Sequence, residues 1–344
     1  MTTKVTPAVV DLPSYGFKNK IINGRMEVAQ RGTGFNFIGD GEYSLDRWRH
    51  NQSGLATMNY AQSTDVPADQ GLFNSLWINT AIGDPTVNAG DHVRLHHIVE
   101  GYNIRDLYGG PVTLSFWVKS TQTGTYCVSV RNEALDLTFI AEYSVDVANT
   151  WERKVITFDF DPGGTWAFDN GAGMYIAWTL WHEGAAGVAG WQSGNHKATV
   201  NQINHTAVTG DFYITGVELV KGTEPLPVPE ARPYQVELQM CRRYLAVIGA
   251  TDALAYGVTA SANLISMRLV LPVELRDVPS LTFAGYLDVR HNGVGSYGID
   301  QASITSVNLS TGGIRIGTDR SGAGANTSGY MSVNNNAITV DADF

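Results

Sequence analysis

V-T-L-S-F-W-V-K-S-T-Q-T-G-T-Y-C-V-S-V-R, residues 112–131, alternates apolar and polar side chains with the two-residue period of a half-buried β-strand. Val112, Leu114, Phe116 and Val118 fall on one face. T-Q-T-G-T then supplies turn chemistry, and Tyr126–Arg131 begins a second strand. The same grammar extends outward from Leu55 to Val220, with turn signals about every 8–12 residues. Val93–Val99 alternates Val93, Leu95, His97 and Val99 on one face, and Phe139–Val147, Trp151–Phe160, Gly173–Leu180 and Asp211–Val220 complete the set. Stacked as two sheets with apolar inner faces, these strands predict a jelly-roll β-sandwich over residues 21–222. The overall expectation is a mostly β chain.

Composition agrees. Gly 37, Tyr 15, Trp 8 and Phe 12 favour strands and tight turns, and a hydrophobic content of 43% is that of a folded chain. A net charge of −10, with no Lys after Lys221, argues against a nucleic-acid partner. The N-terminus lacks the apolar core of a signal peptide and no run suits membrane insertion, so a soluble protein made in the cytoplasm is expected. The two cysteines, Cys127 and Cys241, are expected as free buried thiols.

Residues 1–20 are polar and Pro-interrupted, and read as a docking arm. In Asn19–Thr33 the pair Asn23-Gly24 predicts a tight turn between short β runs. In Tyr43–Trp48, Asp46 and Arg47 beside Trp48 suggest a structural ion pair at a sheet corner. The Pro-rich linker Thr223–Pro229 opens a hinge region, residues 223–249. There Pro233 suits a helix start, and Tyr234, Leu238, Cys241, Leu245 and Ile248 form a 4-3-4-3 seam ending at Gly249. So short a seam needs a partner, either a neighbouring domain or copies of itself. Residues 250–344 read as a small C-terminal β domain, with strands at Leu264–Leu271, Leu281–Tyr286, Ser303–Leu309, Ile314–Thr318 and Ile338–Val340, and loops such as Arg320–Ser328. Its thin apolar content points to burial between identical copies.

Three blocks together carry a resemblance. They are N-K-I-I-N-G-R-M-E-V-A-Q-R-G-T with Y-S-L-D-R-W; the run from V-T-L-S-F-W-V-K-S through T-W-E-R-K-V-I-T-F, G-T-W-A-F-D-N-G-A-G and G-W-Q-S-G-N to F-Y-I-T-G-V-E-L-V-K-G; and R-P-Y-Q-V-E-L-Q-M-C-R-R-Y. In that order, over residues 19–245, they resemble bacteriophage tail-fibre and appendage proteins with a carbohydrate-binding-module-like jelly roll. The resemblance implies a virion structural protein, commonly trimeric, that presents its β domains to host-surface polysaccharide. Residues 1–20 would dock on another virion protein. A head or neck decoration protein without an adhesin role, and a glycan depolymerase, are the competing readings.

No H-E-x-x-H, G-x-S-x-G or C-x-x-C occurs, so no enzyme and no cofactor is expected. Asp159 and Asp161 are a weak Ca²⁺ candidate against a solvated strand edge, and no other metal site is expected. His96 and His97 point to opposite faces of one strand and cannot share a metal. For glycan binding the candidates are Trp181, His182, Glu183, Trp191 and Gln192, in the Gly-rich stretch Trp181–Asn195. The alternative is that both tryptophans cap the sandwich's open end. Trp117 and Trp166 read as packing residues.

Overall fold

The computed structural model describes residues 16–86, 88–160, 163–184 and 186–248, then 255–261, 264–283, 286–291, 295–300, 304–310, 313–319, 328–333 and 338–344; beyond 248, side chains are described at 271–282 and 338–344. Residues 1–15, Asp161 and most of the Arg320–Ser328 loop lie outside. Twelve strands build the first body. They are β1 (Gly34–Phe35), β2 (Trp48–Ser53), β3 (Thr57–Ser63), β4 (Ser75–Ile82), β5 (His92–Glu100), β6 (Pro111–Ser120), β7 (Gly124–Arg131), β8 (Leu137–Val145), β9 (Glu152–Asp159), β10 (Ala172–His182), β11 (Gly190–Ser193) and β12 (Gly210–Lys221). They form two six-stranded antiparallel sheets, ordered β1-β3-β4-β12-β6-β9 and β11-β8-β7-β10-β5-β2.

The alternation in residues 112–131 places the core. Val112, Leu114, Phe116 and Val118 from the first sheet meet Tyr126, Val128, Met174, Ile176, Trp178 and Leu180 from the second, all buried. Trp178 packs on Trp48 at 5.5 Å and on Phe116 at 5.6 Å between ring centres. Each such side chain contributes about 1.5–3 kcal/mol of burial. Both cysteines are free and buried, as expected.

The segment from Asn19 to Thr33 departs from expectation. It holds the tight turn but no strands. Asn23 takes φ 58°, and its amide bonds both Val28 O at 2.8 Å and Asp46 O at 3.0 Å. At Gly24 a Cβ would stand 2.2 Å from Val217 O, so only glycine lets the turn lie against β12. The segment's backbone is thus satisfied by side chains and by scattered backbone bonds such as Lys20 N to Leu219 O and Val217 N to Gly24 O, not by a ladder. The expected Asp46–Arg47 pair does not form either. Asp46 accepts from Gln30, while the fully buried Arg47 pairs with Asp343 near the C-terminus and stacks 3.6 Å above the Tyr244 ring.

The hinge helix is shorter than its sequence pattern suggested. Helix α1 (Gly101–Ile104) is a single turn, and α2 (Tyr234–Arg242) ends before Leu245 and Ile248. Those two residues lie instead on β13 (Leu245–Ile248), because L-A-V-I pairs with β22 (Ile338–Asp341). A β-branched apolar run fits either period, and here the ladder wins over the helix. The five-residue seam is therefore not one helix face. Tyr234 is exposed, whereas Cys241 and Leu238 pack on Ile22, Val28 and Tyr244 of the same chain.

Nor is the junction loose. Arg232 pairs with Glu237 at 3.0 Å and donates to Ile21 O, Arg243 holds Glu100 at 2.5 and 2.9 Å, and Arg31 reaches Asp341 and Asp343, both at 2.8 Å. Farther on lie β14 (Ala255–Ser261), β15 (Leu264–Val270), β16 (Ser280–Phe283), β17 (Tyr286–His291), β18 (Gly295–Asp300), β19 (Ile304–Ser310), β20 (Gly313–Asp319) and β21 (Ser328–Val333). They make a three-stranded sheet, β13-β22-β16, and a seven-stranded one, β18-β17-β21-β14-β15-β20-β19. The sequence pattern missed β14, β18 and β21, and its strand Leu281–Tyr286 runs from β16 to the first residue of β17, leaving the rest of β17 unforeseen.

Candidate functional site

The aromatic residues singled out between Trp181 and Asn195 do not share one loop. Trp181 and His182 end β10, while Trp191 and Gln192 sit on β11, and the strand order puts β7 and β8 between them. At the strand spacing of about 4.8 Å the two groups are separated by roughly 14 Å across the sheet, and the register offsets them by about five further residues along the strands. Trp191 is half-buried among Phe139, Phe158 and Trp166, and its indole donates to Asp159 O at 2.8 Å. Gln192 bonds the backbone of Val188 through both side-chain atoms. Trp181 packs against the main core, and the backbone of Glu183 pairs with Gly90 and Asp91. Trp166 is a packing residue, 4.5 Å from Phe160.

A different set converges on the outer face of the first sheet. Because Leu76 and Ile78 point inward, Trp77 points out, and the same parity exposes Tyr213 between Phe212 and Ile214. Trp77 lies opposite Tyr213, and Tyr213 opposite Lys119. Trp151, just before β9, closes the row 6.1 Å from Tyr213. Beside it runs a polar row in which Asn59 faces Asn79 and Asn79 faces Asp211. On the other side stand Trp117 and Arg153. The rings remain partly exposed.

Hydrogen bonds hold this face in place. The Trp77 indole donates to Asp211 Oδ1 at 2.9 Å, an oxygen shared with Asn79 at 2.8 Å. The Trp151 indole donates to Asp65 Oδ1 at 3.0 Å. Lys119 pairs with Asp65 and sits 4.3 Å from the Tyr213 ring and 5.4 Å from Trp151. Partial burial would raise the Asp65 carboxyl, but the bonds from Lys119 and Trp151 outweigh it and hold the group below its usual range. Burial, then the charges of Asp211 and Asp65, push the Tyr213 phenol up. The result is a strip of aromatic faces whose polar edges are fixed by carboxylates that keep lone pairs to spare. Sequence reasoning missed it, although outward parity in L-W-I, F-Y-I and F-W-V-K was the available signal.

Other groups offer less. His97 points inward and bonds Ile22 O at 3.0 Å, and His96 points outward beside Tyr175. Asp159 is exposed at the end of β9, while Asp161 lies outside the described residues. Among the described residues no cluster of three His, Cys, Asp or Glu could hold a metal, and no helix is long and apolar enough to cross a membrane. A cleft of about 330 Å³ is lined by Ile22, Glu100, Tyr102, Met240, Arg243 and Tyr244, but Glu100 is already bonded by Arg243 and Tyr244.

The sequence matches no protein-family model and no curated protein. Several solved structures are similar over part of the chain. One is the enzymatically active domain of tailspike protein 4 from bacteriophage CBA120, 17% identical at a TM-score of 0.32, covering 54% of this chain and 21% of that one. Another is the family 11 carbohydrate-binding module from Clostridium thermocellum, in complex with a mixed-linked tetrasaccharide. It is 13% identical at a TM-score of 0.32, covering 56% of this chain and 99% of that one. A third, TmCBM61 in complex with β-1,4-galactotriose, is 14% identical at a TM-score of 0.28, covering 54% and 99%. The chain thus spans about a fifth of the tailspike domain it resembles. At scores this low, neither kinship nor function follows.

Proposed function

We propose that this protein is a non-enzymatic glycan-binding module, and that the strip Trp77–Tyr213–Trp151 is where it meets polysaccharide. The observation that carries this is the row itself. Three aromatic side chains, brought together from distant parts of the sequence, lie partly exposed on one sheet face with Asp65 and Asp211 at their edges. Sugar C–H faces stack on such rings, and Asn79, Asp211 and Lys119 are placed to bond hydroxyls. Bare packing gives no reason to display large rings on a sheet's outer face. The resemblance over residues 19–245 supports the wider reading of a trimeric virion appendage directed at the host surface. In it, residues 1–20 would dock on the particle.

Affinity electrophoresis of the full chain through gels containing host polysaccharide tests the site. Retardation is expected for the wild type and for Trp181→Ala. It should be lost in Trp77→Ala/Trp151→Ala with the fold retained by circular dichroism. Retardation that survives the double substitution would refute the placement.

A further inference from the structure

The outer face of the second sheet has a different chemistry. Register aligns Arg49, His96, Ala177 and Ser129 in one row across β2, β5, β10 and β7. Asn51, Arg94 and Thr179 form the row on one side, and Tyr175 faces Arg131 in the row on the other. Ala177 and Ser129 are short, so the centre of this patch is a low floor between longer side chains. Residues 196–203 fold over the neighbouring part of the sheet, where Lys197 O accepts from Thr179 at 3.0 Å and Gln202 bonds Cys127 N at 2.6 Å. That segment carries Lys197 to the rim.

What sets the patch apart is an excess of positive charge: Asp40 acts on Arg94 and Glu133 on Arg131, but neither carboxylate forms an ion pair with them. Arg94 is 4% exposed and His96 is 3% exposed. Arg94 Nε, Arg131 Nε and both ring nitrogens of His96 have no hydrogen-bond partner. Among the described residues Arg94 donates from Nη2 to Asn51 Oδ1, and Arg131 lies 4.1 Å above the Tyr175 ring. Among the described residues, none of the ion pairs involves Arg94, Arg131 or Lys197. Burial first and the neighbouring Arg131 second pull the Arg94 guanidinium down to about 9. Burial, then Arg94 and Arg131, bring Lys197 to about 8. Buried cations without partners are costly, and buried donors left unpaired call for an explanation. In a chain of net charge −10 that has acids in plenty, it is informative that none of the described ones pairs with these groups.

We infer that Arg94, Arg131, Lys197 and His96 form an anion pocket for the carboxylate of a uronic acid in an acidic polysaccharide. A carboxylate seated over Ala177 and Ser129 would take charge-assisted bonds from the free guanidinium N–H groups and from Lys197. This choice of anion rests on the glycan-binding reading above. The two sheets would then divide the work, with aromatic stacking on the first and charge recognition on the second.

Titration calorimetry of the full chain with oligogalacturonate, with its fully methyl-esterified form and with inorganic sulfate tests the pocket. The acid form should bind, the neutral ester at least about tenfold more weakly, and added salt should weaken the former. Arg131→Gln and the more exposed Lys197→Gln should each lower affinity about tenfold, the worth of one charge-assisted bond. The second variant keeps the test open if the first fails to fold. Equal binding of acid and ester, no effect of either variant, or sulfate binding as tightly as the oligomer would overturn the pocket. If these variants change nothing while Trp77→Ala/Trp151→Ala abolishes polysaccharide retention, the pocket falls and the glycan-binding reading stands. If the acid form binds and loses affinity only in the pocket variants, the pocket stands and the aromatic site falls.

Discussion

Glu218 and the buried histidines pull the pH dependence of stability in opposite directions. Burial depresses His50 and His205 to about 4 and His97 to about 3, against 6.5 for a free imidazole. Between those values and 6.5 unfolding takes up protons, so their stabilisation holds above about pH 6.5 and drains away toward pH 4. Glu218 runs the other way. Burial, set against the bond from Glu230 N and the Arg153 charge, raises it to about 7. Its contribution is whole below its unfolded value and is lost as pH rises through 7. Three imidazoles outweigh one carboxyl, so net stability should fall on acidification, as urea unfolding at a series of pH values would show. Against that background Glu218→Gln is expected to stabilise the protein by about 2 kcal/mol at pH 8, with the gap closing near pH 4.5. A gap independent of pH would mean that the carboxyl is not buried in its charged form. Arg47 gives a second check. Arg47→Met leaves the buried Asp343 with Arg31 as its remaining ion-pair partner among the described residues, and should cost about 2 kcal/mol in the same assay.

Among the elements, the inward faces were legible and the ladder was not. Val112, Leu114, Phe116 and Val118 declare their face by alternation alone, and all four are buried. Tyr234, Leu238, Cys241, Leu245 and Ile248 satisfy helical spacing equally well, yet the helix stops at Arg242. The deciding partner, Ile338–Asp341, lies far along the chain, where no local pattern can point to it. The free edge of β13 is covered in turn by Gln30, whose side chain donates to Leu245 O at 2.8 Å and accepts from Val247 N at 3.4 Å. Gln30→Ala should therefore destabilise the protein by about 1–2 kcal/mol, measured by thermal unfolding, while the exposed Tyr234→Ala should change monomer stability by less than about 0.5 kcal/mol.

For the whole molecule, the sandwich, the short helix and the chain's end are tied into one piece by Arg31, Arg47, Arg243 and Arg276, which join Asp341, Asp343, Glu100 and the backbone of Ala342. The hinge expected from Pro-rich composition is thus a clasp, because those charges find partners only once the chain has closed on itself. The candidate site was hidden for the same reason. Trp77, Lys119 and Tyr213 each show outward parity in their own strand and Trp151 stands just before β9, but their adjacency depends on the order β4-β12-β6-β9. The Gly-rich loop drew attention instead, and its tryptophan at 191 is held within the fold by Asp159 and Phe139. Hydrogen exchange with and without saturating host polysaccharide tests the central claim most directly. Protection is predicted on β4, on the facing parts of β6 and β12, and at residues 147–151. A footprint confined to residues 181–195, with β4 and β12 unchanged, would contradict it.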